Sequence, residues 1–199
     1  TVQSGASLSF NGVGAPGTTS NVAKLTADTL ALDDGYVLNL NIANAQIAPQ
    51  SLLTQDTGSG TSITVAEAND ITLDENGSLT INGVEPTSDQ TIKFAVEQSG
   101  SGSESGHVAD AIYGYQIAVN EKTTTEGKDP LTVDYGLEGV SINKDKTLVL
   151  SGVDGVSDEP DNTLSVYLTG EGGLRIAQNV VRLEAAEQGE KVNDYSCLL

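Results

Sequence analysis

Proton transfer through a serine–histidine–aspartate set needs an imidazole that can take and return a proton. This sequence holds one histidine, His107. Asp110 follows it, and serines crowd the preceding stretch Gln98–Gly106, so the inventory of such a set is present. The Gly-x-Ser-x-Gly elbow that would present the nucleophile between a strand and a helix is absent. His107 therefore reads as an exposed loop residue. Cys197, the single cysteine, has no neighbouring base to make a thiolate and no second thiol for an internal disulfide. An acid–base pair acting on polysaccharide would need two carboxyl groups at a defined separation, which sequence spacing does not reveal. Asp154, Asp158, Glu159 and Asp161 carry hard oxygens suited to calcium, but their spacing matches no EF-hand loop and reads as a solvated acidic loop. Phosphate-binding loops are missing, and one cysteine with one histidine makes no structural zinc site. The expectation is a non-enzymatic chain without a cofactor.

Aromatic residues offer a different chemistry. Tyr113 and Tyr115 share one face of the strand pattern Ala111–Val119 by its period of two. Their rings are either core or an exposed stacking platform for a sugar or a partner protein. The net charge of −19, from 28 acidic and nine basic residues, argues against nucleic acid, whose phosphates call for clustered Lys and Arg. It equally opposes attraction to an anionic membrane, and no apolar run is long enough to span one as a helix. The start at Thr1-Val-Gln reads as a mature protein or an excised segment.

The elements that must carry these residues are short alternating strands. Ile71–Val84 shows the unit most plainly: apolar–polar alternation on both sides of Asp-Glu-Asn-Gly, with Asn76-Gly77 expected to supply positive φ at the corner. Gly83 marks a second corner. Variants recur at 25–42 and 140–150, and Ala6–Val13 ends in Asn-Gly-Val as Ile81–Val84 does. With 22 glycines, no tryptophan and two phenylalanines, the composition suits a thin stacked core. The fold class expected is all-β, a right-handed parallel β-helix (β-solenoid), with an antiparallel β-sandwich as the alternative. One domain spanning 1–199 is expected, with polar loop excursions at 98–106 and 120–130.

Leu164–Leu174, a strand ending in Gly170-Glu-Gly-Gly-Leu174, resembles the Gly-rich strand–turn repeat of bacterial autotransporter (type V secretion) passenger domains. Val180–Glu184 and Asn193-Asp-Tyr-Ser196 are similar to the strand and the Asn-x-Tyr element that follow in that family. Tyr135–Leu137 with Lys146–Leu150 is similar to passenger rungs. Cys197 stands where the family has glycine, and Glu187–Val192 is an insertion. The resemblance implies a β-helix secreted or held on the bacterial cell surface. It also implies an adhesive or structural role, through self-association or through a protein or glycan on a host or neighbouring cell. A polysaccharide-active β-helix enzyme and a structural fibre segment are the alternatives.

Overall fold

The computed structural model describes residues 1–16, 22–42, 46–53, 61–85, 91–120, 127–152, 163–164, 166–178 and 181–183. The described residues are predominantly β-strand, and the two helical pieces among them, Pro49–Leu52 and Gly102–Glu104, are single 3₁₀ turns. In chain order the strands begin with β1 (Ser7–Val13), β2 (Leu25–Thr26), β3 (Thr29–Leu32), β4 (Val37–Ile42) and β5 (Gln46–Ile47). Next come β6 (Thr61–Ala68), β7 (Asp70–Leu73), β8 (Ser78–Ile81), β9 (Thr91–Gln98), β10 (Gly106–Val119) and β11 (Asp129–Ile142). The last are β12 (Thr147–Ser151), β13 (Thr163–Leu164), β14 (Tyr167–Gly170), β15 (Gly173–Gln178) and β16 (Arg182–Leu183). The chain forms two compact units, one of 1–44, 60–92 and 114–136, the other of 45–59, 93–113 and 137–199.

In the first unit, β1, β4 and β8 pair in parallel, so that Leu8, Leu38 and Leu79 stack, as do Phe10, Leu40 and Ile81. β3 pairs in parallel with β7, and Val2 bridges to Leu32. The corners stack as well: Gly5 N–H donates to the Asp34 carbonyl and Asp74 N–H to the Leu32 carbonyl. Alternation explains the burial. Leu38 and Leu40 are fully enclosed, while Asn39 and Asn41 between them face outward. β2 lies parallel to β6, and β6 runs antiparallel to β11. Both kinds of pairing therefore occur in the molecule.

The second unit repeats the parallel theme. β12 pairs with β15, β13 with β16, and the end of β11 with β14, all in parallel. Here Gly170-Glu-Gly-Gly nests on the corner Asn143–Lys146. A Cβ on Gly170 would stand 2.1 Å from the Ile142 carbonyl oxygen, and one on Gly172 would stand 2.4 Å from that of Asn143. Close backbone approach is what demands glycine in this turn.

Two expectations change, and the corner expected at Gly83 forms. Asn76 and Gly77 are not at positive φ; their turn closes through Gly77 N–H to the Asp74 carbonyl at 3.3 Å and Asn76 N–H to Asp74 Oδ1 at 2.9 Å. The left-handed pair is Asn82-Gly83, with φ of 53° and 77°, and Ile81 and Val84 exchange both backbone bonds around it. The excursion expected at 120–130 is shorter, because Asp129 and Pro130 already belong to β11; residues 121–126 lie outside the described residues.

Candidate interaction surface

Tyr113 and Tyr115 sit on the inward face of β10 with Ala109 and Ala111, and only 4% and 3% of each is exposed. Within the second unit the Tyr113 ring meets Phe94 edge to face at 5.7 Å. Within the first, Tyr115 stacks on Tyr135 at 5.5 Å and 27°. Pairs of this geometry add to the stabilisation of plain area burial. The rings are core, and the exposed platform does not form at these positions.

The polar stretch preceding them is tied down. Gln98 Nε2 donates to the carbonyls of Glu104 and Thr147 at 2.9 and 3.2 Å, and its Oε1 accepts from Val149 N–H at 2.8 Å. Lys146 Nζ donates to the Ser105 carbonyl at 2.8 Å, and Thr147 Oγ1 lies 3.3 Å from Ser103 Oγ. Arg175 grips Glu104 with two bonds of 2.9 and 2.8 Å. Planar pairing of this kind fixes geometry, although both groups are partly exposed and the stabilisation is at most about 1 kcal/mol. Sequence reading missed this pair, since 71 residues separate its partners.

His107 Nε2 lies 2.7 Å from Asp110 Oδ1 in a partly exposed position. The nearby Ser105 hydroxyl donates instead to the Gly102 carbonyl at 3.0 Å. Histidine and aspartate are thus brought together, and among the described residues no serine hydroxyl is hydrogen-bonded to the imidazole. No group of three or more His, Cys, Asp or Glu side chains suited to a metal occurs among the described residues. Asp154, Asp158, Glu159, Asp161, Cys197 and Asn193–Ser196 lie outside them.

A surface that the sequence did not single out is the outward face of β1, β4 and β8. Asn39 is its hub. Its Oδ1 accepts from Thr80 Oγ1 at 2.7 Å and Gly83 N–H at 3.0 Å, and its Nδ2 donates to Asn41 Oδ1 at 2.8 Å. Asn41 Nδ2 donates onward to Asn11 Oδ1 at 2.8 Å. Asn82 Oδ1 accepts from Ile42 N–H at 2.7 Å, continuing the ladder past the last paired residue. Stacked amides that saturate one another hold a flat, polar, pre-organised face. Behind it, the buried Tyr36 ring fills the corner under Gly77, and burial followed by the nearby Asp74 charge raises the phenol's pKa above 10.0.

Comparison with family models, with curated proteins and with solved structures finds no match to this chain. The arrangement itself can hydrogen-bond a partner along a flat row of Ser and Asn side chains.

Proposed function

We propose that this chain is a non-enzymatic adhesive or structural module, built as a β-solenoid of the autotransporter-passenger kind and exposed on a bacterial surface or secreted. The observation that carries the reading is the stacking of like residues in parallel register: Leu8, Leu38 and Leu79 on one face, and Ser9, Asn39 and Thr80, the last covered by its neighbours, on the other. Repeated coils of this sort present long flat faces whose many weak contacts add through multivalency. The acidic surface favours solubility at high local density. Partners of such a module are a second copy, a surface protein or a glycan.

The test sets binding against turnover. The purified chain is presented on beads to epithelial cells, to a glycan array and to its own soluble form. In parallel it is incubated with neutral and acidic polysaccharides. Saturable binding that is unchanged in His107→Ala and weakened by Asn11→Asp with Asn41→Asp is the expected result. Polysaccharide cleavage abolished by one Asp or Glu substitution would overturn it in favour of an enzyme.

A further inference from the structure

The parallel sheet β1-β4-β8 has two rims, and they differ. Val37 N–H donates to the Ala6 carbonyl, so in β1 the backbone groups of Ala6, Leu8 and Phe10 face β4. Those of Ser7, Ser9 and Asn11 therefore face away from the sheet. No described residue pairs with them. At the opposite rim, Ser78 and Asn82 face β4, and the outward groups of Ile81 are closed by Val84 through the Asn82-Gly83 turn. Among the described residues, Ile81 is closed by its own chain and Leu79 leaves one unpaired residue at that rim, whereas Ser7, Ser9 and Asn11 form an unpaired row at the other.

Apart from the bulge at Gly12 near its end, the unpaired edge of β1 lacks the usual guards of an edge strand. Ser7–Val13 contains no proline and no charged residue, and the first charged side chain in the sequence is Lys24 despite the net charge of −19. Edges normally avoid pairing through such charges, prolines or covering loops. Leu8 is only half buried, whereas its stack mates Leu38 and Leu79 are enclosed, so the apolar column ends uncovered at β1.

We infer that β1 pairs antiparallel with β1 of a second copy of this chain, about a two-fold axis at Ser9. The register is self-complementary. Centred on Ser9, it sets Ser7 opposite Asn11 and Ser9 opposite itself, so every outward backbone group meets another. It sets Leu8 opposite Phe10, which extends both apolar columns on one face and both polar rows on the other. Because both copies use the same β1 edge about a two-fold axis, the contact is isologous and closes as a dimer. Self-association is one of the partner classes proposed above. The inference, however, rests on the β1–β4–β8 ladder and not on adhesion, so failure of adhesion leaves it standing.

Light scattering coupled to size exclusion, run across concentration, reads the dimer directly. Raising salt screens repulsion between two acidic copies and strengthens it. Ser9→Pro removes an outward N–H and the long 3.4 Å side-chain bond from Asn39 but no ladder bond to β4, and Ser9→Lys sets like charges across the axis; each gives a monomer with an unchanged circular dichroism spectrum. In a Cys197→Ser background, Ser9→Cys oxidises to a covalent dimer, since facing Cα atoms at about 5.5 Å fall within disulfide reach. Ser7→Cys, which faces Asn11 of the other copy, does not. A wild-type chain that stays monomeric, or a dimer that survives both Ser9→Pro and Ser9→Lys, overturns the inference. Equal cross-linking of Ser7→Cys and Ser9→Cys overturns the register.

Discussion

Substituting Gly77 by alanine isolates one contact that holds two stacked corners together. Gly77 is outside the left-handed region, so alanine fits its backbone, and by that criterion alone the change would stabilise by about 0.4–1 kcal/mol through the unfolded chain. The new methyl, however, would stand 2.0 Å from Tyr36 Cε1, 2.1 Å from Cζ and 2.7 Å from Cδ1. Three ring atoms cannot yield together without the ring leaving its place. A tyrosine buries about 150–250 Å². At roughly 25 cal/mol per Å² the ring's full expulsion costs about 4–6 kcal/mol, an upper bound because unfolded chains already bury part of that area. Partial displacement, offset by the backbone gain, leaves a net loss of about 2–3 kcal/mol. For a chain of this length that lowers the thermal midpoint by roughly 5–10 °C. Urea unfolding of Gly77→Ala, Tyr36→Ala and the double variant measures it. The double variant should lose less than the sum of the singles, with about 1–3 kcal/mol of coupling. A neutral or stabilising Gly77→Ala would refute the account of this corner.

Three further outcomes follow from the same contacts. Tyr36 has a folded pKa raised above 10.0, so its contribution to stability is complete below that pH and is lost as pH rises through the folded value. Tyr36→Phe should flatten the alkaline fall in stability, read by urea midpoints across pH. Asn39→Ala strands the buried Thr80 hydroxyl and the Gly83 N–H, and should cost about 1–3 kcal/mol, whereas Ser7→Ala on the same face should cost little. Gly172→Ala drives a methyl into the carbonyls of Asn143 and Lys146 and should lower the thermal midpoint, with amide exchange rising first in residues 143–149 and 173–178.

Strand positions were legible because alternation is local. Val37–Ile42 and Thr91–Glu97 are strands as their patterns predict, with one residue added to the second. Pairing was not legible, because partners in the first ladder stand 30 residues apart (37 − 7) and then 41 apart (78 − 37). Nothing in a single strand names such a partner. The Asn-Gly dipeptides show where local rules stop. One forms a bulge at Gly12 within the β1–β4 ladder, one an i to i+3 turn at 74–77, and one a left-handed reversal at 82–83. The choice belongs to the neighbours: Val13 continues to pair with Ile42, whereas Val84 folds back on Ile81. The period of two put Tyr113 and Tyr115 on one face, and it could not say that the face turns inward. Gln98–Gly106 read as an excursion on composition alone, and its anchors on Lys146, Thr147 and Arg175 lie more than 40 residues away.

Parallel pairing of β1, β4 and β8 is the claim on which the rest depends, and backbone NMR tests it most directly. Cross-strand contacts between the amide of Asn39 and the α-protons of β1, and between the amide of Thr80 and those of β4, should follow the parallel register Leu8–Leu38–Leu79. Cross-strand α-proton contacts between β3 and β4, joined as a hairpin across Asp33–Tyr36, would contradict it and return the chain to an antiparallel sandwich.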